Sequence, residues 1–330
     1  MFECLISIIL LLFVLFCRNT TKNDYVCYGG NTTLQPDRIL GPKYLVYYKN
    51  FLGKELYMFG EWHGECAKEN TCMKDNTSQK YITVWYLVYL MLKNPKSGLI
   101  LERDKYRTPD CDIIDSSVVF GNSIPVNKLT LLSMENPNVI LGDIRRSLIY
   151  GRICILSNVN NKNKNIISND LSDITDWFIS FIKKYENIND MIKVIINAYK
   201  STKMFKSLYK KISKKDRDIV DELLDDILVK DYDRLNTTYQ SMRENININN
   251  ISSICCDISM NVMVPIADIV TLMNMLVCSW NRIILYWGVV HIQNIQRFLD
   301  KKYNIKPTHI WKKSPPNDYG CLITNGLKIK

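Results

Sequence analysis

The chain has 330 residues, 47% hydrophobic and 23% charged, a balance that places it among globular proteins of one or two domains, long enough to bury a large core. Its formal charge of +10 would suit an anionic partner, but the lysines are scattered through an Asn- and Ile-rich composition and read as solvated faces. Charge therefore gives no reason to expect a nucleic-acid partner.

Residues 4–17, CLISIILLLFVLFC, are an apolar run at the extreme N-terminus, followed by polar RNTTKND. A bilayer span takes about 20 apolar residues, so this shorter run fits the core of a signal peptide, although Glu3 stands where a basic residue is usual. Residues 1–18 are thus expected to be a signal peptide or signal anchor that puts the chain on the secretory route, secreted or membrane-anchored. A buried first strand or helix is the competing reading. Past that run lie Cys27, Cys66, Cys72, Cys111, Cys154, Cys255, Cys256, Cys278 and Cys321. In a secreted chain these would form disulfides with one thiol left over, and Cys66 with Cys72 would close a short loop. No pair has Cys-x-x-Cys spacing, so zinc-ribbon and thioredoxin chemistry find no support. Sequons at Asn19, Asn31, Asn76, Asn236 and Asn250 fit an oxidising, glycosylating route.

From Tyr44 the elements become legible. Tyr44–Tyr48 and Leu56–Phe59 read as strands joined by a turn around Gly53, and the second runs into GEWHGE. The run 80–93, KYITVWYLVYLMLK, is apolar on all sides and suits a buried crossover helix. Gly98–Leu101 is the next parallel strand, ending in Glu102, which right-handed crossover would place one strand from His63. Residues 138–143, NVILGD, make a third strand presenting Asp143, Arg145 and Arg146 at its end.

The middle changes character. The Asn-rich stretches 158–170 and 245–250 read as loops. Between them, 171–244 carries helical spacing with lysines crowded over 183–215 and acids over 216–233, the solvated faces of an inserted bundle or lid. A largely apolar helix follows over 264–280, where Asp268 and Asn274 argue for protein packing and against a membrane span. Ile283–Trp287 is then a strand feeding GVVH, and Ile292–Tyr303 an amphipathic helix. His309, in PTHIW, reads as an ordinary strand or surface histidine.

Two of the three histidines, His63 and His291, sit three residues after a glycine, each behind a short apolar run. Chance would produce that register in roughly 0.5% of sequences of this composition, so the two are treated as one site. A histidine just past a strand end lies where ligands collect in an open α/β sheet, and imidazole can act there as metal ligand, general base or oxyanion donor. With Glu61 and Glu102 the pair suits hydrolysis. Held as His63, His291 and Glu102, a divalent metal (Mn, Co, Zn or Fe) would polarise a carbonyl and activate water. Without metal, one His takes a proton from water, a Glu orients it, and the second His or Arg145 stabilises the oxyanion. The plainer reading makes both histidines polar caps of helix starts, with Glu61 and Glu102 in salt bridges to Arg103 or Arg145.

These residues carry a resemblance. Gly60 and His63 in GEWH, Gly288 and His291 in GVVH, and Glu102 in GLILERD are similar to the motifs of the TIKI/TraB superfamily, with erythromycin esterases and ChaN-type haem-binding lipoproteins as relatives. Glu61 brings the first motif nearer the esterase and ChaN branches, and GDIRR resembles a family Asp-x-Arg segment. The resemblance spans about 55–155 and 255–312. It implies an α/β fold, a mixed and mainly parallel sheet built from two related halves and flanked by helices. Residues 19–157 would form the first half, 158–250 an inserted helical region, and 251–330 the second half. It further implies a hydrolase of a small-molecule or peptide substrate, cleaving an ester or peptide bond. The alternative is a non-catalytic secreted or membrane-anchored protein that binds haem, a metal or another ligand.

Overall fold

The computed structural model describes residues 36, 38–61, 81–102, 137–145, 151–157, 168–228, 232–312, 321–324 and 327–329. In chain order these form β1 (Arg38–Leu40), β2 (Tyr44–Phe51), β3 (Lys54–Glu61), β4 (Tyr81–Thr83), α1 (Val84–Leu92), β5 (Ser97–Leu101) and β6 (Val139–Leu141). A run of helices follows: α2 (Gly151–Ser157), α3 (Ser168–Ile182), α4 (Ile188–Ser201), α5 (Lys203–Lys211), α6 (Lys214–Leu228), α7 (Asp233–Glu244) and α8 (Ile248–Ile258). A π turn (Ser259–Met263) joins α8 to α9 (Val264–Val277), after which come β7 (Arg282–Gly288), α10 (Val289–Tyr303), β8 (His309–Lys312) and β9 (Cys321–Ile323).

The main sheet runs β6-β5-β7-β3-β2-β8. β6, β5, β7 and β3 are parallel, while β2 is antiparallel to both β3 and β8. This is the mixed, mainly parallel α/β architecture expected from the sequence. The hairpin between β2 and β3 turns at Leu52 and Gly53, both at positive φ (50° and 83°), a pairing of left-handed residues that matches the right-handed twist of the flanking strands. The second Gly-x-x-His strand, β7, lies between β3 and β5 at the centre of the sheet. Every residue of β5 and β7 is buried, as a parallel strand covered on both faces requires.

Alternation along the strands sends the two faces to two cores. Val46, Met58, Ile100, Ile283, Leu285 and Trp287 pack under the large helical layer. Leu45, Tyr57, Phe59, Leu101, Ile284 and Tyr286 pack against α1 and a small sheet of order β4-β1-β9.

Three details differ from the sequence reading. The apolar run 80–93 is not all helix: Tyr81–Thr83 pairs parallel with β1, and α1 begins at Val84. Its aromatic and β-branched residues find an edge to pair with, and tertiary pairing outweighs helical propensity. The Asn-rich joint 245–250 is only partly a loop, because Asn247 caps α8 by accepting a hydrogen bond from the Asn250 amide, the role short polar side chains favour. The apolar helix also starts earlier than expected and is continuous over Asn249–Val277, long and apolar enough to cross a membrane, with 67% of its most apolar window buried inside the protein. It is a core helix here. Pro265 is two residues past the π turn, in the first turn of α9, where a missing backbone N–H is tolerated.

Cys255, Cys256 and Cys278 are free thiols, and the Cys66–Cys72 pairing lies outside the described residues. Asn236 and Asn250 lie within helices α7 and α8. His309 begins the edge strand β8 and is exposed.

Candidate active site

The carboxyl ends of the four parallel strands lie side by side, and Glu61, Glu102 and Asp143 are buried there. Glu102 immediately follows β5, and Asp143 and Arg145 follow β6. β7 ends at Gly288, and α10 begins at the next residue, so His291 occupies its first turn. Glu61 closes β3 opposite Gly288 in the strand register. Close backbone approach matters at Gly60, where a Cβ would stand 3.2 Å from both Tyr44 Cβ and Val289 Cα.

Hydrogen bonds tie these groups into one network. Arg145 donates through Nε and Nη2 to the two oxygens of Asp143, each at 2.9 Å, and its Nη2 also reaches Glu102 Oε1 at 2.8 Å. The backbone N–H of Gly288 donates to Glu102 Oε2 at 2.5 Å, which sets that carboxylate at the positive end of α10. His291 is held on both sides: Nδ1 lies 2.5 Å from Asp268 Oδ1 and Nε2 lies 3.2 Å from Glu102 Oε1. Asn294 donates to the other oxygen of Asp268 at 2.8 Å. The Trp287 ring meets the imidazole edge-on, with centroids 4.9 Å apart. The Trp287 Nε1–H is buried and, among the described residues, has no hydrogen-bond partner.

Burial sets the electrostatics. Glu102, Asp143, Asp268 and His291 are 5%, 2%, 0% and 4% exposed. Among the described residues the cluster brings together the carboxyl groups of Glu102, Asp143 and Asp268 with Arg145 and His291. Burial alone would lower the His291 pKa, but the charges of Asp268 and Glu102 and their hydrogen bonds outweigh it and raise it to about 10. His291 is therefore an imidazolium at neutral pH. Burial raises the Asp268 pKa, opposed by the charge and hydrogen bond of His291 and by Asn294. Burial also works against the Asp143 carboxylate, but the Arg145 guanidinium wins and keeps it below its ordinary value.

Of the expected site residues, the structure brings Glu102, Arg145 and His291 into contact. Glu61 is buried at the same end of the sheet but shares the strand parity of Tyr57 and Phe59 on the α1 face, where its carboxylate accepts a hydrogen bond from the Tyr286 hydroxyl. His63 lies outside the described residues, as do Arg103 and Arg146. The salt bridge weighed against catalysis, Glu102 with Arg145, is present. Asp268 was visible only as an unexplained acid in an apolar helix, and Asn294 and Trp287 gave no signal in the sequence.

The described members of the expected metal set do not fit a divalent cation as arranged. Glu102 Oε1 already faces the Arg145 guanidinium and His291, Glu102 Oε2 is taken by Gly288, and both His291 nitrogens are engaged. A cation at Glu102 would sit against a guanidinium 2.8 Å from the same oxygen. Among the described residues no three His, Cys, Asp or Glu side chains are grouped to hold a metal ion.

Fold and site together define an α/β protein whose parallel strands deliver a buried histidine, carboxylate and arginine cluster to their carboxyl ends. Compared with known proteins, the chain matches no family model, no curated protein and no solved structure.

Proposed function

We propose that the chain is a hydrolase of ester or peptide bonds that uses histidine and carboxylate groups directly. The observation that carries this reading is the buried imidazole of His291, held between Asp268 and Glu102 where four strands end. Buried charged groups clustered in this way are a poor device for stability, because replacing such groups by apolar ones is often neutral or stabilising. Strongly perturbed ionisable groups gathered at strand ends are a mark of function.

In this scheme His291 is the electrophile. Its Nδ1–H stays on Asp268 at 2.5 Å, while the proton on Nε2 faces Glu102 at a longer 3.2 Å. That weaker bond is the one a developing oxyanion can capture, and the same proton can then pass to a leaving oxygen or nitrogen. Arg145 and the Gly288 N–H hold Glu102 in place so that it orients the imidazolium. The base that takes a proton from water is assigned to His63, two residues past the end of β3 in the sequence.

The test is a panel of activated esters and short peptides offered to the purified chain and to His291→Gln, Glu102→Gln and His63→Gln. Loss of about 10²–10⁴-fold in kcat/KM in each variant, with melting behaviour retained, supports the reading. Activity abolished by chelators and restored by Mn, Co, Zn or Fe would replace it with the metal-dependent scheme. Equal activity in wild type and variants, or none on any substrate, removes it.

A further inference from the structure

A cavity of about 240 Å³ opens between α6, α9 and α10. Its apolar wall is Leu223, Ile227, Pro265 and Phe298. Two exposed cations, Arg297 and Lys301, stand along the same helix face one turn apart, and among the described residues neither has an ion-pair or hydrogen-bond partner. Lys302 is shared between Asp226 at 3.0 Å and Glu222 at 2.7 Å, so with Arg297 and Lys301 this face carries three cations against two carboxylates and stays net positive. A greasy floor under two cations on a net positive face is complementary to an oxyanion on a short apolar body.

The polar end of the cavity is built from a distorted part of the backbone. Asn261 lies on the π turn between α8 and α9, a local widening found often beside functional sites. Asn294 lines the cavity as well and spends its amide N–H on Asp268, the carboxylate that holds His291. The cavity and the His291 network therefore share a wall.

We propose that this cavity is a second ligand site, taking a small amphipathic oxyanion whose head is a carboxylate or phosphate bound by Arg297 and Lys301 and whose tail lies on Phe298 and Leu223. The volume limits the ligand. At the ~30 Å³ that a water occupies in the liquid, about eight non-hydrogen atoms fit. This site stands apart from the hydrolase proposal, because occupancy is read without turnover.

The experiment uses hexanoate, propyl phosphate and hexanol as probes against the full chain, with binding followed by ligand-observed NMR. Hexanoate or propyl phosphate should bind with Kd on the order of 1 mM or better, and hexanol at least ten-fold more weakly. Whichever charged probe binds more tightly identifies the head group. The double variant Arg297→Gln/Lys301→Gln should lose at least ten-fold in affinity. A charge-matched control, Lys210→Gln/Lys211→Gln on the exposed end of α5, should retain it. Hexanol binding as well as hexanoate, equal loss in both double variants, or no binding of either anion at 20 mM overturns the proposal.

Discussion

Asp268 and His291 sit on consecutive helical segments that cross the same end of the sheet, and their side chains meet at 2.5 Å across 23 residues of sequence. The contact explains why an acid is tolerated at 0% exposure in the middle of an apolar helix, where an unpaired charge would be expelled or neutralised. Replacing it with Asn keeps the shape but removes the charge that holds the proton on His291. Asp268→Asn should bring the His291 pKa down from about 10 towards the ordinary imidazole range and cost about 1–3 kcal/mol of stability. NMR titration of the His291 ring checks the first, and chemical denaturation the second. A titration unchanged from wild type would show that Glu102 alone holds the proton.

The same charges set a window of stability against pH. His291 has a raised pKa in the folded state, so its contribution is complete below the unfolded value of 6.5 and is lost as pH rises through about 10. The raised Asp268 pKa acts in the same direction. Asp143 is depressed, so its contribution is present above the unfolded value of 3.8 and is lost as pH falls through the lower folded value. Melting temperature should therefore be highest on the mildly acid side of neutrality and fall steadily between pH 7 and 10. His291→Gln should flatten that alkaline limb and leave the acid limb in place. An unchanged alkaline limb in the variant would assign it to other groups.

Gly142 offers a test of how the site is packed. A Cβ there would come 2.8 Å from Trp287 Cζ2 and 2.9 Å from Ile100 Cγ2, too close for either to stay put. The ring it displaces is the one that rests on His291. Gly142→Ala should cost about 1–3 kcal/mol through overpacking and reduce hydrolytic turnover by a larger factor than it changes KM, because the imidazolium loses its support. A variant with a lowered melting temperature and full turnover would show that Trp287 packing does not position His291.

Much of this arrangement was legible in the sequence, and the reason is local. The β2–β3 hairpin, β5, β6 and β7 were marked by short apolar runs stopped by glycine or a charge, and Glu102, Arg145 and His291 stood at their ends. What could not be read was order across the sheet. Nothing in the chain says that β7 enters between β3 and β5, or that the long core helix brings Asp268 onto His291. Strand pairing over such separations is fixed by tertiary burial, which leaves no periodic trace. The parity of Glu61 was readable in principle, since it alternates with Tyr57 and Phe59, and it places that carboxylate on the face opposite Glu102.

Trp287 separates structure from chemistry most cleanly. Its indole N–H is buried beside His291 and, among the described residues, unpaired. A buried donor left without an acceptor costs about 1–3 kcal/mol, so it persists either for the bulk of its ring or for a partner that arrives with the substrate. Trp287→Phe keeps an aromatic surface against His291 and Gly142 and deletes the donor. If the N–H serves substrate, the variant should melt within about 1 kcal/mol of wild type, the relief of the unpaired donor offsetting the lost volume, while kcat/KM falls at least ten-fold on esters. Trp287→Leu, which removes ring and donor together, should fall further in both. Full activity in the Phe variant would leave Trp287 a packing residue and place oxyanion stabilisation on His291 alone.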